Sequence, residues 1–348
     1  MNSSLLARWP HHLQTLLWLA LAVLCLIPAW QWGLTHAVFG ADAEACRAAR
    51  GVGACWGVLA EKHRLLLFGR YPYAEQWRPL LASLLIILAL LGSCWPRLWR
   101  PALVGAWLLL AACVGVLMYG GILGLARVPS AQWGGLPLTL IVAISGTVLA
   151  LPLACLLALG RRSQLPLLKS LCASYIELVR GVPLISLLFM AAFLFPLLLP
   201  QAWHVDMLPR VIIAIALFAA AYLAEVIRGG LQAVSATQYQ SALALGMRYS
   251  QAMRYIVLPQ AFRAALPALI SNFVGIFKDT SLISIVSLHE LTGALSLALG
   301  GDPDWRPFYL EAYLFIALVY WAFCYGISRF GQALETRLRH GQALRLNR

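Results

Sequence analysis

The sequence predicts an all-helical (all-α), polytopic integral membrane protein, and three observations carry that prediction. Hydrophobic residues fill 61% of its 348 positions and charged residues 11%, far from the roughly one-quarter charged composition of soluble domains. The apolar residues gather into about eight long runs, each near the ~20 residues needed to cross a hydrocarbon core roughly 30 Å thick. The 26 Lys and Arg, against 13 Asp and Glu, fall singly or in pairs between these runs. That placement reads as membrane topology, whereas a nucleic-acid binder would gather its basic residues on one polar face.

In order, the expected spans are 13–32, 80–95, 101–125, 136–160, 182–200, 209–227, 264–288 and 308–331. The first is long for the apolar core of a signal peptide and lacks a clean small-residue cleavage site, so it is expected to remain as a span. An even number of crossings puts both termini on one side. Basic residues mark that side as cytoplasmic: Arg97 and Arg100; Arg161, Arg162 and Lys169; Arg228, Arg248, Arg254 and Arg263; then Arg329, Arg337, Arg339, Arg345 and Arg348. Partitioned by this topology, the whole excess of +13 lies inside. Pro152, Pro183, Pro196 and Pro267 are expected to kink spans and turn freed carbonyls toward a cavity.

The long loop between the first two spans is external in this topology and holds Cys46 and Cys55, which in an oxidising compartment can form a disulfide. The other six Cys lie in or beside apolar runs, where a thiol packs as a small side chain, and no metal-ligand spacing appears. Without a Gly-Lys dipeptide there is no phosphate-cradling loop of the GxxxxGK[ST] type, so ATP chemistry must belong to a partner. Neither an HExxH pair nor a GxSxG elbow is present, and the chain is expected to be noncatalytic.

The longest cytoplasmic segment, residues 228–263, is neither random loop nor span. Residues 238–245 favour a helix with small side chains on one face, Gly246 suits a left-handed helix end, Ser250 can cap a second helix, and Pro259 is expected to stop it after Leu258. Ala242, Leu245, Ala252 and Ile256 are the candidate docking positions. The spacing is Gln240-Ser241-Ala242, three residues, Gly246, nine residues, Ile256, one residue, then Leu258-Pro259. It resembles the coupling segment of ABC importer permeases, whose pattern opens with Glu-Ala-Ala. Gln240 and Ser241 depart from that opening.

Flanking runs narrow the resemblance to the polar amino acid permeases. These are WGGLPLTL at 133–140, YIELVRGVPL at 175–184, AEVIRGGL at 224–231 and KDTSL at 278–282. The three additional spans before residue 130, with LALGRRS at 157–163, look like the M-type permease of general L-amino acid transporters. The resemblance implies an ABC type I importer core at 131–335, an N-terminal extension at 1–130 and a basic tail at 336–348. It further implies a bacterial inner membrane, a second permease completing a heterodimeric pore, a cytoplasmic ATPase dimer that holds ATP and Mg, and a periplasmic amino-acid-binding protein. The substrate would be an L-amino acid, with no cofactor in this chain and membrane lipid around it. An ion-gradient transporter would be expected to show duplicated halves, and none is apparent. A receptor or scaffold binding a signalling ATPase is the other class that association with an ATPase would serve.

Two groups of charges invite function. Lys278 and Asp279 interrupt an apolar run and, with Thr280 and Ser281, can line the route of a zwitterion or lock helices as a structural ion network. Glu177 with Arg180, and Glu225 with Arg228, are each three apart on a helix face and can staple helix ends or form a gate. Gly229 and Gly230 can hinge or pack the junction with the coupling segment, or simply end the sixth span.

Overall fold

A computed structural model of the chain describes residues 9–198, 200 and 205–346. Its helices, in order, are α1 (Trp9–Trp30), α2 (Ala43–Ala48), α3 (Gly57–Phe68), α4 (Trp77–Ser93), α5 (Ala102–Tyr119), α6 (Gly135–Arg161), α7 (Pro166–Gly181), α8 (Leu184–Phe189) and α9 (Phe195–Leu198). They continue with α10 (Met207–Ala233), α11 (Ala236–Ala244), α12 (Tyr249–Ala252), α13 (Leu258–Asp279), α14 (Leu291–Gly300) and α15 (Tyr309–Leu346). Seven helical stretches among the described residues are long and apolar enough to cross a membrane, and an eighth is reached if one bent pair counts as a span. Of the basic tail, Arg348 and the side chains of Arg339 and Arg345 lie outside the description.

Three expected spans change shape. The third stops at Tyr119 rather than 125, because Gly120 and Gly121 both turn to positive φ and end the helix. The fifth is not a straight run over 182–200: α7 and the α8–α9 stretch meet at a 102° bend beside Pro183. The ring of Pro183 lacks the amide hydrogen a continuous helix would need and excludes Val182 from helical geometry. The seventh begins at Leu258 and ends at Asp279, followed by a 3-10 stretch, Thr280–Val286. Asp279 is therefore a helix-terminal residue.

The chain forms two compact units. One combines Met1–Arg64 with Ala298–Phe315. Within it Asp42 caps α2 by accepting from the amides of Glu44 and Ala45, and Cys46 and Cys55 are joined as a disulfide with Cα atoms 5.3 Å apart. The Cys55 amide donates to the buried Glu311 carboxylate at 3.0 Å, and Lys62 pairs with Asp302 at 2.7 Å. The fully buried cysteine pair and these links give a polar loop a small core of its own.

The other unit, Leu65–Leu297 with Ile316–Arg348, holds the main bundle. Its centre is the contact of α6 with α10. Gly146, Ala150, Ala154 and Ala158 recur every four residues on α6, and the buried face of α10 is equally rich in Ala. Small side chains at this spacing bring two helices close enough for van der Waals packing to hold them within lipid. A second core sets α4 and α5, through Ile86, Val114 and Met118, against Leu140 and Ala143 of α6 and Phe277 of α13.

Candidate functional site: the coupling segment and the charged helix ends

The segment between α10 and α13 folds as two short helices joined by a tight turn. Ser235 caps α11, its hydroxyl accepting from the Thr237 amide. At the far end Gly246 takes φ 79°, the Gly246 amide donates to Leu243 and the Met247 amide to Ala242. This pair of bonds is the Schellman arrangement, and it requires a residue that tolerates the left-handed region. The second helix does not start from Ser250. Its N-cap is Arg248, whose amide donates to the Gln251 side chain at 2.9 Å, so α12 begins two residues earlier than a Ser250 cap would set it. Nor does Pro259 stop it: the helix widens into a π turn over Met253–Val257 and runs on into α13, with Pro259 just after that turn.

That continuity ties the segment directly to a span. Gln260 donates to Gln238 at 3.4 Å and to the Ile256 carbonyl at 3.0 Å, and the rings of Tyr239 and Tyr249 meet edge to face at 6.2 Å. Ala242 and Ala252 are buried within the segment. Both are covered by the chain itself and are not available as docking positions. Leu245 stands 84% exposed at the turn, with Leu243, Tyr249 and Tyr255 also exposed. Ile256 is half-buried, while Gln240 and Ser241 lie on the exposed side of α11. Leu258 is half-buried at the start of α13.

At the other end of the segment, α10 does not finish at the glycine pair but runs through it to Ala233. Gly230 is buried against α13, and a Cβ there would lie 2.4 Å from the Ala261 carbonyl oxygen. Gly229 has open space on its side. Gly230 thus packs the junction, and neither glycine ends the helix.

The expected pairs of charges are rearranged. Glu225 and Arg228 do pair along α10, Nε to carboxylate 2.8 Å. Glu177 does not bond Arg180; it pairs with Arg161 of α6 at 2.8 Å. Arg161 also reaches Glu225 at 3.2 Å, so one guanidinium joins α6, α7 and α10. Arg180 instead covers the ring of Tyr222, 5.4 Å from its centroid. Arg162 donates to the Leu231 carbonyl in the last turn of α10. Arg161 is the residue sequence reasoning missed in this network: it stood out only as a topology marker, because its partners lie 16 and 64 positions away.

Lys278 and Asp279 face different grooves. Lys278 lines a cavity of about 400 Å³ with Ser271, Ser328, Gln332 and Glu335, while Asp279 lines one of about 380 Å³ with Asn272, Tyr222 and Gly275. Successive helical residues diverge by ~100°, which separates the two charges. Among the described residues neither forms an ion pair within the chain. Thr280 is buried and Ser281 bonds back to the Lys278 carbonyl, so both are fixed to the helix end.

A helical bundle whose membrane helices run straight into a docking segment is the architecture of a transport permease driven from outside its own chain. Residues 150–340 match the family described as binding-protein-dependent transport system inner membrane component, and the chain belongs to that family. It is 38% identical to the inner membrane amino-acid ABC transporter permease protein YhdY of Escherichia coli K12 over 98% of this chain and 93% of that one. Identity is 36% to the glutamate/glutamine/aspartate/asparagine transport system permease protein BztC of Rhodobacter capsulatus, over 92% and 88% of the two chains. A crystal structure of an amino acid ABC transporter with histidines is similar at a TM-score of 0.51 and 29% identity, covering 57% of this chain and 90% of that one. Membership of the family makes the chain a membrane subunit that works with an ATPase and a substrate-binding protein, and sets aside the ion-gradient and scaffold alternatives.

Proposed function

We propose that this chain is one permease of a heteromeric amino-acid importer of a bacterial inner membrane, with both termini cytoplasmic. It pairs with a second permease, an ATPase dimer that binds ATP and Mg, and a periplasmic binding protein that delivers L-amino acids. The observation that carries the reading is the unbroken run from the exposed turn at Leu245 through α12 into α13, at whose far end Lys278 and Asp279 stand. A push on the segment moves that helix as a rigid body, and with it the two charges. A zwitterion needs one cationic and one anionic contact. Neither charge forms an ion pair among the described residues, which weighs against an ion network locking helices. The end-to-end similarity to two amino-acid permeases supports the substrate class.

The test is reconstitution of all subunits in vesicles. ATP hydrolysis is expected to rise when binding protein and amino acid are added together, with accumulation of labelled amino acid inside. Lys278→Met is expected to reduce uptake while leaving assembly normal; unchanged uptake with normal assembly would exclude Lys278 from the route.

A further inference from the structure

The end of α6, the first half of α7, the end of α10 and the coupling segment line a cavity of about 850 Å³, within the roughly 300–1,000 Å³ of small-molecule sites. Leu156, Leu168, Leu231, Met253 and Val257 make much of its wall apolar, while Arg162, Ser163, Gln164 and Ser235 bring polar groups to it. Leu167 and Leu171, on either side of Leu168 along α7, are exposed. The apolar lining therefore continues onto an open surface of the kind that meets hydrocarbon.

The charges around the cavity are of one sign. Neither 156–172 nor 231–257, the stretches that line it, contains an Asp or Glu. Arg162 gives one N–H to the Leu231 carbonyl at 3.2 Å. Among the described residues it has no carboxylate partner, nor have Lys169 and Arg248, the sequence neighbours of Leu168 and of the lining residue Tyr249. The nearest acids along these helices, Glu177 and Glu225, are taken up by Arg161 and Arg228. An amino acid in the cavity would leave its ammonium without an anion. An anion that carries a hydrocarbon chain meets both features, with its charge at unpaired cations and its chain on the leucines. Basic pockets between membrane helices at the cytoplasmic face suit anionic lipid headgroups in this way.

We propose that this cavity binds an anionic phospholipid, its phosphate at Arg162 and one acyl chain against Leu156, Leu168 and Leu231. Tyr239, Tyr249 and Met253 of the coupling segment line the same cavity, so the lipid bridges the segment to α6 and α7 and passes its motion to them. The cytoplasmic leaflet as the source of the lipid, and its effect on coupling, rest on the topology and the role proposed above for the segment.

The experiment uses the complete transporter in phosphatidylcholine vesicles with and without phosphatidylglycerol. The probe is phosphatidylglycerol with a photoreactive group on one acyl chain. Adducts are expected in peptides covering 156–172 and 231–257. Arg162→Gln should lower this labelling about fivefold, the worth of one basic residue at an anionic surface. Leu168→Trp keeps every cation but fills the cavity, and should abolish the labelling; if Arg162→Gln fails to assemble, Leu168→Trp decides. Equal labelling by a phosphatidylcholine probe, displacement of the probe by inorganic phosphate, or adducts confined to other peptides overturns the lipid site. So does labelling that appears in the isolated permease and vanishes once the ATPase is bound, since the ATPase then covers the cavity. Uptake per ATP hydrolysed is expected to fall when phosphatidylglycerol is omitted, and Leu168→Trp is expected to show the lower ratio in both kinds of vesicle. A wild-type ratio that ignores phosphatidylglycerol overturns the effect on coupling. If the wild type shows no uptake, the functional reading fails, while the labelling still decides the lipid site.

Discussion

Arg161 lies 3.2 Å from Glu225 across the contact of α6 with α10, and this link, not either pair within one helix, closes the charged end of the bundle. Both side chains are about three-quarters buried. The same guanidinium holds Glu177 of α7. Removing it leaves Glu225 with Arg228 alone and Glu177 with no partner among these residues. Arg161→Met is expected to destabilise the subunit by roughly 1–2 kcal/mol, between the values for exposed and fully buried pairs. Arg180→Met, which removes only a ring contact, is expected to cost less. Thermal unfolding of the two variants in detergent orders them.

Leu245 and Ala252 lie at the turn and in the second helix of the coupling segment and have opposite environments, one exposed and one fully buried. Leu245→Asp is expected to leave the stability of the subunit within about 0.5 kcal/mol. It should weaken association with the ATPase at least about tenfold, as loss of an apolar anchor does. Ala252→Leu is expected to do the reverse in part, destabilising the segment by ~1–3 kcal/mol through overpacking. Co-purification of the ATPase alongside a thermal melt separates the two effects.

How much of this was legible in the sequence follows from how local each feature is. The spans are continuous apolar runs and need no partner to be recognised, so their number and order are legible, while the ends agree to within about four residues only for the first, second and fourth. Gly246 was legible for the same reason: a left-handed helix end is a property of one residue and its neighbours. Pro259 was not, because a proline just past one helix and a proline in the first turn of the next look alike until the intervening turn is known. The bend at Pro183 was hidden by an apolar run that reads equally well as a straight span. The Arg161 network joins residues 16 and 64 positions apart, and no local pattern announces it.

Gly230 and Gly229 provide a matched pair for testing how closely α10 and α13 must pack. Gly230→Ala would press a methyl onto the Ala261 backbone, whereas Gly229→Ala meets open space. The first is expected to cost about 1–3 kcal/mol, and the second to be neutral or stabilising by up to ~1 kcal/mol from helix propensity. If the packed junction transmits the motion of the segment, Gly230→Ala should also lower the ratio of uptake to ATP hydrolysed, with Gly229→Ala unchanged.

The Cys46–Cys55 bridge closes a short loop in the smaller unit. Cys46→Ser with Cys55→Ser is expected to remove roughly 2–3 kcal/mol from that unit, chiefly by freeing its unfolded state. Limited proteolysis between Asp42 and Gly57 should accelerate accordingly. Because such a bridge persists only on the oxidising side of a membrane, a maleimide that cannot cross it should label Val52→Cys, an exposed position, in intact spheroplasts. Labelling only after lysis would overturn the assigned orientation.

Acid should loosen the same unit through Asp302. The hydrogen bond from Lys62, reinforced by bonds from nearby backbone amides and the charge of Lys62, holds the Asp302 carboxyl below its ordinary value. A folded value depressed below the unfolded one of ~3.9 contributes stability that is complete above ~3.9 and lost as pH falls through the folded value. The pair is partly exposed, so the contribution is expected to be modest, about 1 kcal/mol or less. Lys62→Met should cost that amount at neutral pH and flatten the acid limb, since the unfolded and folded values then approach each other. Amide exchange over 298–304, followed from pH 7 down through the acid range in both proteins, measures it. An acid limb equally steep in Lys62→Met would show that another carboxylate controls the transition.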